Sequence, residues 1–128
     1  MTKKPIAPIS RGEAEIMRLL FQLGPATVQQ VLDALPADRP ITYATVQTIL
    51  RRLEKKGYIA HTNKGKAHVF SAVVPREKVI SSAVNWIVER LFDGDPIPLV
   101  QHLAQHGKLT ADDIDNLKEL VTEKKPLT

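Results

Sequence analysis

Residues 42–72 run from a helix-like apolar stripe into a pair of strand-like segments, and that succession leaves few folds open. Val46, Ile49, Leu50 and Leu53 recur at i, i+3, i+4, i+7, the spacing of one helix face, so a helix begins near Thr42. Gly57 is placed for the left-handed residue that ends a helix. Tyr58–Thr62 and Ala67–Ala72 read as two strands. Asn63-Lys64-Gly65-Lys66 between them reads as a turn, in which Gly65 is free to adopt positive φ. The helix ends in Arg51, Arg52, Lys55 and Lys56, and the hairpin that follows is also basic. Such a surface calls for an anionic partner.

Two shorter helices precede this block. Ser10-Arg11-Gly12-Glu13 fits a capping box, with Ile16, Leu19, Leu20 and Leu23 as the apolar stripe and Gly24-Pro25 as the stop. Thr27 caps a second helix of roughly 8–9 residues, which presents Val28, Val31, Leu32 and Leu35 before Pro36. A Pro-flanked connection over residues 36–41 leads to the third helix. Three helices followed by a hairpin describe a winged helix-turn-helix, in which the third helix enters the major groove and the hairpin is the wing.

That geometry sorts the side chains. With the stripe buried, the third helix exposes Ala44, Thr45, Gln47, Thr48, Arg51, Arg52 and Lys55. N-terminal residues of a recognition helix reach base edges. Ala and a Thr methyl suit the thymine methyl, and Gln suits adenine. The later long cations suit phosphates on the groove walls. Thr42 begins the helix, and Thr27 starts the second helix, a place that can present backbone N–H groups to a phosphate. Lys64, Lys66 and His68 set the wing against the adjacent DNA backbone. Cations near a helix C-terminus also complement the helix dipole, so no single Arg or Lys decides the matter. Tyr58 and Phe70 read as packing between wing and core.

Charge divides along the chain. Residues 1–72 hold 11 Lys/Arg against 5 Asp/Glu, a balance of +6, and residues 73–128 hold 7 against 9, a balance of −2. The basic part is attracted to a polyanion and the acidic part is repelled. The expected division is a winged helix over residues 1–74 and a helical domain over residues 75–128.

After Pro75 the pattern is helical again. Val79, Ile80, Ala83, Val84, Ile87, Val88 and Leu91 form a wide apolar face with Trp86 beside it, and Asp93-Gly94-Asp95-Pro96 breaks it. Ile97–His106 is a short helix ending at Gly107. Thr110 caps a last helix with acid in its first turn, and Ile114, Leu117, Leu120 and Val121 carry its stripe to about Lys125. The expected dimer seam is Ile80, Ala83, Val84, Ile87, Leu91, Ile114, Leu117 and Val121, because one helix-turn-helix reads only a few base pairs and two are needed for two half-sites. The competing arrangement folds these helices back on their own chain. His102 and His106 stand at i, i+4, a spacing that can start a metal site. They have no clear third ligand, and a solvated pair is the better reading, so no metal or cofactor is expected.

The 128 residues suit one compact domain or a small domain with an appendage. The chain has no cysteine, which excludes disulfides and thiolate metal sites. No apolar run approaches the roughly 18–20 residues of a membrane span, and Met1–Pro8 lacks a signal-peptide core, so a cytoplasmic protein is expected. No Ser/His/Asp or Cys/His arrangement, phosphate-cradling glycine loop or convincing carboxylate pair speaks for an enzyme. A winged helix used for protein–protein assembly is the rival class. It predicts no salt-dependent DNA affinity.

The chain resembles the penicillinase-repressor family, which includes β-lactamase, methicillin-resistance and copper-responsive repressors. Glu13-Ala14-Glu15-Ile16-Met17, Gly24-Pro25-Ala26-Thr27-Val28 and the block from Tyr43 to Gly57 carry the resemblance, with Arg90-Leu91-Phe92-Asp93-Gly94 and the closing helix matching more loosely. The resemblance covers nearly all of residues 9–124. It implies a homodimeric repressor with an N-terminal winged helix and a C-terminal dimerisation domain, bound to a palindromic double-stranded DNA operator built on TACA/TGTA elements. It places DNA contacts at Ala44, Thr45, Thr48 and Arg51, with support from the wing. The chain departs from the family pattern at two switches, which leaves a regulatory protease or sensor as an open partner. The antibiotic-responsive members are cleaved at an Asn-Phe bond after a membrane sensor is triggered, and the matching position here holds His102-Leu103. The copper-responsive members use paired cysteines, which this chain lacks.

Overall fold

The computed structural model describes residues 8–123. In chain order the elements are α1 (Arg11–Leu23), α2 (Val28–Ala34), α3 (Tyr43–Lys55), β1 (Ile59–Lys64), β2 (Ala67–Ala72), α4 (Arg76–Leu91), α5 (Ile97–Gln105) and α6 (Ala111–Glu123). The chain divides into two compact units between Asn85 and Trp86, inside α4.

Local signals set the helix starts. Ser10 Oγ accepts from the Glu13 N–H at 3.2 Å, and the Ser10 N–H donates to Glu13 Oε1 at 2.9 Å, which closes the capping box of α1. Thr27 and Gln30 close the same motif at α2, and Thr42 Oγ1 accepts from the Thr45 N–H at α3. Helix α2 spans only 7 residues, because Leu35 already has extended backbone in front of Pro36. Gly57, at φ +91°, turns the chain from α3 into β1.

The hairpin turn is tighter than the four residues the sequence suggests. Asn63 pairs with His68 and Lys64 with Ala67, which leaves Gly65-Lys66 as the loop. Gly65, at φ +64°, supplies the positive φ that a two-residue loop needs, so Asn63 and Lys64 stay in the ladder. The hairpin is tied back to the helices by a bridge: the Ala26 N–H donates to the Phe70 carbonyl at 3.0 Å, and the Phe70 N–H donates to the Ala26 carbonyl at 2.8 Å.

The first unit owns the core. Ile16, Met17 and Leu20 of α1, Val31 of α2, Val46, Leu50 and Leu53 of α3, and Tyr58, Ile59 and Phe70 of the hairpin are all buried. The start of α4 joins them through Val79, and Ser82 hydrogen-bonds Tyr58. Burial pushes the Tyr58 hydroxyl above its ordinary range despite that hydrogen bond.

One charge lies inside this core. Glu13 is fully buried, with Lys56 Nζ at 2.6 Å, and the same ammonium donates to the Pro8 carbonyl at 2.8 Å. Lys56 therefore leaves the basic cluster in which its sequence position placed it. A buried carboxylate needs a counter-charge, and Lys56 is the cation in reach. Burial alone would raise the Glu13 carboxyl, but the Lys56 ammonium and the Ser10 N–H outweigh it and hold the group below its ordinary value.

The second unit holds the end of α4, then α5 and α6. Asp93 (φ 52°) and Gly94 (φ 82°) form the break between α4 and α5. Thr110 and Asp113 exchange a capping box at the start of α6. Among the described residues of this unit no side chain is fully buried. The expected end of α6 at Lys125 lies outside the described residues. The rings of His102 and His106 stack with centroids 4.0 Å apart, and His106 Nδ1–H donates to the His102 carbonyl. No helix among the described residues is long and apolar enough to cross a membrane.

Candidate nucleic-acid interface

Helix α3 presents two faces outside the core, because residues four apart share a side of a helix. Ala44, Thr45, Thr48 and Arg52 line one shallow groove of about 340 Å³. Tyr43, Gln47, Arg51 and Glu54 line the other side, where α3 faces the wing. There a cleft of about 420 Å³ also takes in Thr27 of α2 with Lys66 and His68 of the hairpin. The residues expected to read bases thus separate. Ala44, Thr45 and Thr48 are exposed together, whereas Gln47 is half-buried in the cleft.

Hydroxyl groups at the start of α3 are already engaged. Thr42 and Thr45 Oγ1 atoms lie 3.0 Å apart, and Thr42 Oγ1 also accepts from the Thr45 N–H. Thr45 therefore offers its methyl more readily than its hydroxyl, the chemistry that suits a thymine methyl. At α2 the Thr27 hydroxyl is likewise taken by the Gln30 N–H.

The cations are arranged on both sides of these residues. Arg51 lies toward the wing and Arg52 on the groove side, while Lys55, Lys64 and Lys66 are exposed. Thr42, Lys55 and Lys64 line neither depression. Thr42 caps α3, Lys55 ends it, and Lys64 pairs with Ala67 at the tip of the wing. The ion pairs among the described residues are Arg39–Glu15, Lys56–Glu13 and His61–Glu54, so none engages Arg51, Arg52, Lys55, Lys64 or Lys66.

Four polar residues of the cleft escaped the reading of the sequence as site residues: Gln29, Tyr43, Glu54 and His61. Tyr43 is 47% exposed. Glu54 and His61 were legible only with the hairpin register in hand, since the strand face that carries His61 depends on where the turn falls.

The expected dimer residues lie along exposed faces. Ile80, Val84, Ile87 and Leu91 of α4 are exposed, Leu117 and Val121 of α6 are too, and Ala83 and Ile114 are half-buried.

Comparison with known proteins matches this architecture. The penicillinase repressor of Bacillus licheniformis is 25% identical over 122 residues, 95% of each chain. The transcriptional regulator BlaI of Mycobacterium tuberculosis is 30% identical over 100 residues, 77% of this chain and 71% of that one. The solution structure of the Bacillus licheniformis BlaI monomeric form in complex with the blaP half-operator superposes with a TM-score of 0.50 at 28% identity, over 59% of this chain and 93% of that one. The solution structure of the BlaI DNA-binding domain gives a TM-score of 0.51 over 60% of this chain and 93% of the other. The family model described as penicillinase repressor matches residues 9–123, from the residue before the α1 cap to the end of α6, and with it the chain belongs to the penicillinase-repressor family.

Proposed function

We propose that the chain is a transcriptional repressor that binds a palindromic DNA operator as a homodimer. The carrying observation is the exposed face of α3: small residues Ala44, Thr45 and Thr48 at its start, and uncommitted cations Arg51, Arg52 and Lys55 toward its end. Small side chains let the helix approach base edges, and long cations reach the phosphates on either side. BlaI, a member of the same family, is described in complex with a half-operator, which supports the same use of this face. Lys64, Lys66 and His68 add backbone contacts from the wing.

Labour divides along the chain in this reading. Residues 1–74 bind DNA and residues 75–128 hold the dimer, with α4 rooted in the core of the first by Val79. The seam uses Ile80, Val84, Ile87 and Leu91, which stand at i, i+4, i+7, i+11 on α4, together with Leu117 and Val121 of α6. Repression is steric, since the bound dimer covers promoter DNA.

The test is operator titration with Thr45→Ser, which keeps the hydroxyl and removes the methyl, against wild type. Loss of one apolar contact to a base edge costs about 1 kcal/mol, on operator DNA alone. Operator affinity is expected to fall with random-sequence affinity unchanged. Equal losses on both would remove Thr45 from base reading, and absence of any salt-dependent DNA affinity would favour the protein-assembly role instead.

A further inference from the structure

Glu54 is an anion on the helix proposed to face a polyanion, and the wing covers it in part. Its Oε2 lies 2.7 Å from His61 Nδ1. A carboxylate only accepts, so Nδ1 carries a proton and donates. The His61 ring then lies on the His68 ring, with centroids 4.3 Å apart and planes 6° from parallel. Phe70 backs both rings at 5.5 and 6.3 Å. In the register His61 stands opposite Phe70, and His68 opposite Asn63, so the two imidazoles are diagonal neighbours on one face of the hairpin.

That face lines the cleft. Helix α3 contributes Arg51, Glu54 and the Tyr43 phenol to it, the hairpin turn contributes Lys66, and α2 contributes only the uncharged Thr27, Val28 and Gln29. A single imidazolium is well placed here, between the Glu54 carboxylate and a neutral ring. A second is not, because two stacked cations would sit beside Arg51 and Lys66. A phosphate in the cleft removes that obstacle by supplying the missing negative charge.

We propose that Glu54 and His61 are positioning residues for the wing, and that the stack they support makes His68 a proton-linked phosphate contact. The carboxylate locks His61 to α3, and His61 holds the His68 ring against the cleft. DNA backbone entering there draws a proton onto the imidazole pair. By reciprocity, a proton bound to the pair tightens the grip on DNA. Operator affinity therefore rises as the pH falls through the range in which imidazole changes charge, about pH 5 to 8. This inference rests on the operator-binding reading.

The experiment measures binding of the full chain to a duplex carrying a TACA/TGTA inverted repeat, at fixed ionic strength and several pH values. The chain has four histidines, in two stacked pairs, so the variants separate cleanly. Wild type is expected to tighten by about three- to tenfold per pH unit as pH falls, the signature of up to one proton taken up. His68→Gln and His61→Gln are each expected to flatten that dependence, while His102→Gln/His106→Gln keeps it. Thermal unfolding of each variant establishes that the core is intact. Glu54→Ala and Glu54→Gln both remove the charge, but only Gln keeps an acceptor for Nδ1. The Gln variant is expected to bind about fivefold tighter than the Ala variant, one hydrogen bond's worth. A pH-independent wild type, a slope that survives in both wing variants, or equal binding by the two Glu54 variants overturns the proposal. Salt-dependent binding without a pH slope sinks this inference alone. Loss of salt-dependent binding at every pH sinks the operator reading with it.

Discussion

Leu50 of α3 and Leu120 of α6 are the same side chain on helices of 13 residues each, and they finish in opposite environments. Leu50 is 0% exposed and Leu120 59%. Both belong to apolar stripes of helical period. The stripe of α3 meets α1, α2 and the hairpin within its own chain. The stripes of α4 and α6 keep Ile87, Leu91, Leu117 and Val121 exposed. An apolar stripe therefore encodes the need for a covering surface, and says nothing of which molecule supplies it. In the proposed repressor the cover is a second copy of the chain.

The sharpest way to break this contrast is to charge the exposed stripe. Ile87→Glu is expected to give a monomer whose first unit is still folded. An unpaired charge in an apolar seam costs several kcal/mol, on the order of the 3–5 kcal/mol of a broken buried pair. Operator affinity should then fall by about 10²–10⁴-fold, because the second half-site is no longer bound intramolecularly, with little loss on an isolated half-site. Sedimentation and operator titration check both parts. A variant that stays dimeric removes Ile87 from the seam. A folded monomer with wild-type operator affinity refutes the dimer as the binding species.

Truncation sharpens the same contrast. Leu50→Ala removes a fully buried side chain, and such changes cost about 2–5 kcal/mol. The loss should be the same at every protein concentration, since the contacts are made within one chain. On the exposed stripe of α6, Leu117→Ala in the proposed seam should cost little in the monomer and show its effect only through dimerisation, as a midpoint that depends on concentration. Denaturant unfolding at two concentrations separates the cases. If Leu117→Ala destabilised the chain as strongly as Leu50→Ala at high dilution, the two stripes would not differ as described.

The sequence made the periodic parts legible and left the long-range parts obscure. Caps at Ser10, Thr27, Thr42 and Thr110 are local exchanges between residues three apart, and each starts a helix where its side chain suggests. The stripe of α3 identified its exposed face for the same reason. The turn of the hairpin was misjudged because Asn63 and Lys64 have turn-like chemistry, and only the pairing partners His68 and Ala67 show that they remain in the strand. Lys56 was misplaced because its partner Glu13 lies 43 residues away. The Glu54–His61–His68 stack was invisible for both reasons, since it needs the register and the packing of the wing on α3.

The buried pair belongs to the first unit alone and tests it by pH. The Glu13 carboxyl is held below its ordinary value of 4.5 in the folded chain. A depressed carboxyl contributes stability that is fully present above its unfolded value and is lost as pH falls through the folded one. Glu13→Ala leaves Lys56 without its counter-charge and should cost about 3 kcal/mol near neutral pH, the low end for a broken buried pair because Lys56 keeps some access to water. The gap between variant and wild type should shrink as the pH falls below about 4.5, where the carboxyl begins to be protonated even in the unfolded chain. Unfolding curves at several pH values measure it. A gap that does not change with pH would show that Glu13 stabilises by its shape and capping bonds rather than its charge.

The smallest effect concerns the surface of α3. Arg52 is exposed on the groove side with Ala44, Thr45 and Thr48, and it forms no ion pair among the described residues. In the proposed repressor its guanidinium contacts a phosphate, which carries no sequence information. Each phosphate neutralised on B-DNA contributes about −0.9 to the slope of log K against log salt. Arg52→Ala should therefore weaken operator and random DNA by the same factor and flatten the slope by about one unit. The stability of both units should stay unchanged, because the side chain is not part of the core. Titrations at four salt concentrations give the slope directly. An unchanged slope would remove Arg52 from the interface. A loss confined to the operator would make it a base reader, and the separation of cations from small residues along α3 would then fail.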